Sequence, residues 1–197
     1  MPKIVDTDAR RREIAEKTVS VLVRDGFREL KLGKVADLCG IGRTTIYQYF
    51  RNIGEIIDFA LADVFGKLDA EIESVAGDEA LAPTSKLVRV MDYLERVAIL
   101  DKEPMILVLD FLLHPNREMP GVKFDVQARV RALRVGLERV LSAGISAGEI
   151  KPIDAKSMAF TLFSFVEAAT VHGALYDNIS LENTMRDMRI LMDGLKP

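Results

Sequence analysis

Val35-Ala36-Asp37-Leu38-Cys39-Gly40-Ile41-Gly42-Arg43-Thr44-Thr45-Ile46-Tyr47-Gln48-Tyr49-Phe50 is the stretch on which the reading of this chain turns. Val35, Ala36 and Leu38 follow helical spacing up to a break at Cys39-Gly40-Ile41, and Ile46 and Phe50 repeat at i, i+4 beyond it. The pattern predicts a short helix over 33–38, a tight turn, and a second helix from Gly42 or Arg43 to about Phe50, with the apolar residues of both meeting in one small core. Those are the dimensions of a helix-turn-helix, whose second helix lies in the DNA major groove. Outside that core stand Arg43, Thr44, Thr45, Tyr47, Gln48 and Tyr49. These are residue types that read DNA: Arg forks onto guanine, Gln onto adenine, Thr offers a hydroxyl and a methyl, and Tyr bonds a phosphate.

The charge distribution points the same way. The 197 residues carry a net charge of −3, but residues 1–52 hold 11 Lys and Arg against 7 Asp and Glu, a net of +4. The remainder holds 16 basic and 23 acidic residues, a net of −7. A basic module suited to polyanions precedes an acidic body with another task. A hydrophobic share of 49% excludes a disordered chain. The single cysteine, Cys39, excludes an internal disulfide and a zinc cluster, and no metal or cofactor is expected. Cys39 reads as a small part-buried residue at the motif's corner rather than a redox sensor. Met1-Pro2-Lys3-Ile4-Val5-Asp6 turns polar too early for a secretory signal, so the expected location is cytoplasmic. Met158 to Tyr176 is mostly apolar, but Glu167, His172 and several hydroxyls mark it as a buried helix rather than a membrane span.

Helical periodicity continues throughout, which predicts an all-α fold of about nine helices. The first spans Asp8 to about Asp25, capped by Asp6, Thr7 or Asp8 and stopped by Gly26 before Phe27. After the helix-turn-helix, Asn52 caps a fourth from Ile53 to about Ala76. Further helices cover Thr84–Leu100, Glu103–Leu113 (ended by His114-Pro115-Asn116), Pro120-Gly121 to about Ala147, Asp154 to about Tyr176, and Ser180 to about Leu195. The expected organisation is a three-helix DNA-binding domain over 1–52 and a ligand-binding and dimerisation domain over 53–197.

The quoted run, with a helix ending in Gly26-Phe27 before it, resembles the DNA-binding domain of the TetR family of transcriptional regulators over roughly residues 10–57. The resemblance implies a homodimer on a palindromic operator, repression, and a body whose pocket takes an inducer that releases the DNA. By position it implies base contacts from Arg43, Thr44, Thr45 and Gln48, and phosphate contacts from Tyr47 and Tyr49. Three positions depart from the family pattern. Gly42 stands where a Ser or Thr cap is usual, Lys31 replaces the cap of the preceding helix, and Ile53 replaces a common lysine. Lys31, Lys34 and Arg51 are candidates to make up the lost phosphate contact.

In the body, Met91, Met105, Leu109, Phe111, Phe124 and Phe163 fit either core packing or an apolar effector pocket. Asp110 and Glu167 are isolated charges in apolar helices, paired with Arg131 or Arg134 or else facing a ligand. Small residues such as Ala169 and Gly173, with the stripe Met185, Met188 and Met192, suit a four-helix dimer interface built from the last two helices of each chain. His114 and His172 lie far apart, and no GxSxG, HExxH, phosphate-loop or dinucleotide pattern occurs, so an enzyme is not expected. The competing reading is a helical small-molecule-binding or adaptor protein that does not touch DNA.

Overall fold

The computed structural model describes residues 6–26, 30–114, 119, 121–176 and 180–197. Met1 to Val5, Phe27, Pro115-Asn116 and Pro120 lie outside them. The described residues form eight α-helices and one 3-10 turn, with no strand among them. Contacts group the chain into two compact units, Met1–Val64 with Leu107–Val126, and Phe65–Ile106 with Gln127–Pro197. The unit that carries residues 1–52 therefore also takes in the start of the next helix and the segment 107–126.

In the first unit, α1 (Thr7–Asp25) begins where the Asp6 carboxylate accepts from the Asp8 and Ala9 N–H groups, both at 3.1 Å. Ile14, Thr18, Val21 and Leu22 fall on one buried stripe, and the Thr18 hydroxyl donates to the Ile14 carbonyl. α2 (Leu32–Leu38) buries Leu32, Val35 and Ala36 and has no side-chain cap at Lys31. It ends in a Schellman motif: Ile41 N–H donates to the Ala36 carbonyl at 3.0 Å and Gly40 N–H to that of Asp37 at 3.2 Å. Gly40 sits at φ +64°, a conformation that a side chain would strain.

The helix expected from Arg43 to Phe50 is shorter than its pattern suggested. Residues 43–45 turn, only Ile46–Gln48 form a 3-10 helix, and Thr45 and Tyr49 keep right-handed helical angles. The Gly42 carbonyl accepts from both Thr45 and Ile46 N–H, and the Ile46 carbonyl from both Tyr49 and Phe50 N–H. Gly42 brings no capping side chain, Thr44-Thr45-Ile46 is a β-branched run, and a new helix starts only three residues after Phe50. That helix, α3 (Ile53–Gly77), is capped as expected: Asn52 Oδ1 accepts from Glu55 N–H at 2.9 Å. The Glu55 carboxylate reaches back to Arg51 N–H at 2.7 Å.

The second unit takes the later part of α3, α4 (Pro83–Leu100), the start of α5 (Lys102–Leu113), nearly all of α6 (Val126–Ser146), α7 (Ala155–Leu175) and α8 (Leu181–Asp193). α4 packs on α7 and α8. Its uncapped N-terminus is supplied from a distance, since Glu149 accepts from both the N–H and the hydroxyl of Thr84. Asp154 and Ser180 cap α7 and α8 as their positions suggested. Arg189 pairs with Asp92 and joins α8 to α4, while Arg129 pairs with Asp69.

α6 starts five residues later than Pro120-Gly121 suggested. The Asp58 carboxylate takes the N–H groups of Lys123 and Phe124 at 2.9–3.0 Å and holds them extended. Gly121, at φ +90°, lies so close to Asn52 that a Cβ there would stand 2.5 Å from its Oδ1.

Candidate nucleic-acid interface

α2 and the turn after Gly42 enclose an open groove of about 490 Å³ lined by Lys31, Leu32, Gly33, Lys34, Asp37, Arg43 and Tyr47. Four residues expected at DNA, Lys31, Lys34, Arg43 and Tyr47, thus share one surface. Thr44, Gln48 and Arg51 are exposed, while Thr45 and Tyr49 are half-buried. Tyr47 is 62% exposed although it is a large aromatic side chain. Among the described residues the groove's cations have loose partners: Lys34 Nζ lies 3.8 Å from Asp25, and Arg43 Nη2 lies 3.7 Å from Asp37. Exposed pairs at such distances contribute about 0–1 kcal/mol, so a phosphate or base edge can replace them.

The basic residues of α1 are spent differently. Arg10 donates to the Cys39 carbonyl at 3.0 Å and also pairs with Glu13. Arg11 lies between two rings, its guanidinium 4.8 Å from the Phe50 centroid and 4.5 Å from that of Phe59. Arg12 reaches Asp63 at 3.4 Å. Hydrogen bonds from Lys17 and Arg10 hold the Glu13 carboxyl below its ordinary range. Cys39 is buried, and that burial pushes its thiol up and keeps it protonated, which fits a packing role at the corner. Part of the excess positive charge in residues 1–52 therefore holds the motif together, and the part at the groove is what a polyanion would meet.

The pocket and interface candidates are divided between the two units. Met91, Met105, Phe163 and Glu167 belong to the second unit, and Leu109, Asp110, Phe111 and Phe124 to the first. Met91, Met105 and Phe163 are buried; Leu109, Phe111 and Phe124 are half-buried. The Asp110 carboxylate lies 3.2 Å from His114 Nδ1. Burial pushes the Glu167 carboxyl up, and the charge of Arg134 partly offsets it. Met188 and Met192 are buried inside their own chain on α8, which packs on α4, with Gly173 also buried and Ala169 and Met185 half-buried. The outward apolar residues of these helices are Phe160, Phe165, Val171, Leu175, Ile190 and Leu191. α7 is also the one helix among the described residues long and apolar enough to cross a membrane.

One residue that the sequence pattern did not single out is Glu95. It is 1% exposed on α4, and its Oε2 has no hydrogen-bond partner. Burial, reinforced by the charge of Asp92 and opposed by Arg189, pushes its carboxyl up to about 7. Gly33 and Asp37, one helical turn apart on the groove wall, also escaped the sequence pattern.

A capped first helix, a Schellman corner and a turn presenting Arg43, Tyr47 and Gln48 define a helix-turn-helix protein of the DNA-binding class. Residues 14–58 match the family described as bacterial regulatory proteins, tetR family. The chain is 23% identical over 192 residues to the fatty acid metabolism regulator protein of Bacillus subtilis, covering 93% of this chain and 94% of that one. A putative fatty acid metabolism regulator of Clostridium perfringens has the same fold, with a TM-score of 0.78 at 16% identity over 92% of this chain and 96% of that one. AibR, solved in complex with isovaleryl coenzyme A and operator DNA, gives 0.73 at 18% identity over 95% and 98%. The chain belongs to the TetR family of DNA-binding transcriptional regulators.

Proposed function

We propose that this protein is a ligand-responsive repressor that binds a palindromic operator as a homodimer and leaves it when a fatty-acyl effector binds. Residues 1–52 read DNA, and residues 53–197 take the effector and form the dimer. The observation that carries the reading is the groove in which Lys31, Lys34, Arg43 and Tyr47 converge beside exposed Gln48. One such motif spans only a few base pairs, so a two-fold pair on a palindrome supplies the needed specificity. A second copy of this chain would cover the exposed apolar residues of α7 and α8, of which Leu175 is 67% exposed. The effector class follows from the relatives named for fatty acid metabolism and from AibR with its acyl thioester. Met91, Met105 and Phe163 offer an acyl chain the soft, apolar surroundings it needs. The site of action is the cytoplasm.

The test uses purified protein and DNA fragments selected by it from a random pool. Selected duplexes should share a palindrome, with affinity falling steeply as salt rises. Arg43→Ala should cost about 1–3 kcal/mol on the selected duplex and relax preference at one base position per half-site. Acyl-coenzyme A thioesters of graded length should release the duplex, with a coupling of about 5–150-fold. Equal affinity for all duplexes overturns DNA reading, and tight acyl-thioester binding with no change in operator affinity overturns the effector.

A further inference from the structure

Asp37 is out of place on electrostatic grounds. It lines a groove with Lys31, Lys34 and Arg43, where a carboxylate repels the phosphates that the three cations attract. It also stands next to the last residue of α2, the end of a helix that disfavours negative charge. Nothing in the helix itself calls for an acid there, since Asp37 is exposed and Val35 and Ala36 do the packing. Its ion pair is with Arg43, Oδ2 to Nη2 at 3.7 Å. The Arg43 side chain lies along Gly33, one turn before Asp37: a Cβ on Gly33 would sit 3.6 Å from Nε and 3.9 Å from Cζ. The guanidinium therefore lies along a residue with no side chain and has one nitrogen within ion-pair range of Asp37.

We infer that Asp37 is a positioning residue for base recognition: it holds the Arg43 guanidinium by one edge so that the remaining donors meet a guanine in a fixed orientation. This rests on the proposed DNA-binding function and deepens it. A guanidinium has five N–H donors in a rigid fork, so a carboxylate on Nη2 leaves enough donors for the O6 and N7 of one guanine. Held this way, Arg43 gains on the correct base because less side-chain freedom is lost on binding. On any other sequence the pair competes with a swing of the guanidinium to a phosphate, and the carboxylate faces acceptors it repels. Asp37 lowers affinity for DNA at large and raises discrimination at one position.

The experiment compares Asp37→Asn, Arg43→Ala and the double variant with the unaltered protein by anisotropy on the selected duplex, on single-base-pair variants of it, and on a random duplex. Asp37→Asn should raise affinity for the random duplex about two- to fivefold, as an exposed pair of this kind implies. It should flatten discrimination by a similar factor at the same base pair that Arg43→Ala flattens. In the Arg43→Ala background, Asp37→Asn should raise affinity for every duplex by one factor and change no base preference. A uniform rise in affinity with discrimination intact in the single variant overturns the proposal and leaves Asp37 a bystander charge. So does an additive double variant, in which the two residues act on discrimination independently. If the unaltered protein shows no sequence preference, DNA reading fails first and the inference falls with it. If it shows one that Asp37→Asn leaves untouched, only the inference falls.

Discussion

The two units treat charge beside their cores differently. In the first, three arginines of α1 are each given something to hold, Arg10 a carbonyl, Arg11 two aromatic faces and the exposed Arg12 a carboxylate, although Arg11 Nε is buried without a hydrogen-bond partner. In the second, the Glu95 carboxylate is packed into α4 on an apolar layer with one oxygen bonded to nothing. A unit that presents a fixed set of side chains to DNA gains from such ties, because each one removes a way for the reading surface to shift. A helical layer with an unsatisfied carboxyl gives up stability, and it responds to whatever protonates or partners that group.

The largest effect should come from removing the ring that holds the first unit together. Phe50 is fully buried, packs edge-on to Phe59 with centroids 5.7 Å apart, and supports Arg11. Phe50→Ala should cost about 3–5 kcal/mol of stability, through the cavity and the lost cation–π contact together. Urea unfolding followed by circular dichroism measures it. A cost under about 1 kcal/mol would mean that the aromatic tie is incidental and the contrast between the units fails on its first side.

Glu95→Gln tests the other side. The folded protein favours neutral Glu95, whose carboxyl titrates near 7 instead of its ordinary 4.5. Its contribution to stability is full below about pH 4.5 and is lost as pH rises through 7, because the unfolded chain ionises it first. A shift of that size corresponds to roughly 3 kcal/mol. Glutamine cannot ionise, so the stability of Glu95→Gln relative to the unaltered protein should rise between pH 5 and pH 8.5 by up to about that amount. Any fixed offset from the new amide cancels in the difference. A difference that stays flat with pH would show that Arg189 or water already accommodates the charge.

The sequence was legible wherever a local rule decided the outcome. Gly26, Gly40 and Asn52 are stops and a cap readable from single positions, and the structure uses each of them that way; of Asp6, Thr7 and Asp8 it takes Asp6 as the cap. Of the groove residues, Arg43 and Tyr47 follow from helical period and the position of the corner, while Lys31 and Lys34 come only from the family resemblance. The misses come from contacts distant in sequence. Pro120-Gly121 looks like a helix start, but Asp58, 65 residues before Lys123, claims the amides that a helix would need. Met188 and Met192 form an apolar stripe on α8, and a stripe does not say whether its own chain or a second one covers it; both are buried within the single chain. Arg10, Arg11 and Arg12 count as positive charge in any tally, although all three have partners within their own unit. Asp37 was in plain view in the deciding stretch and looked like an ordinary exposed helix residue.

The smallest expected effect concerns the place where the first unit's ties meet the segment leading into α6. Asn52 caps α3 through its Oδ1, and the same oxygen bars a side chain at residue 121. Asn52→Ala should cost about 1 kcal/mol through the lost cap. Gly121→Ala should cost more, since it adds a strained positive φ to a Cβ contact of 2.5 Å with Asn52 Oδ1. If the two residues touch as the structure has it, the double variant should cost less than the sum of the singles, by about 0.5–1 kcal/mol, because truncating Asn52 removes the atom that the new methyl strikes. The residual cost of Gly121→Ala in the Asn52→Ala background then measures the backbone strain alone. Strict additivity would place Gly121 away from the cap. The ties of the first unit would then stop at Asp58, whose hold on Lys123 and Phe124 would be the remaining link to the start of α6.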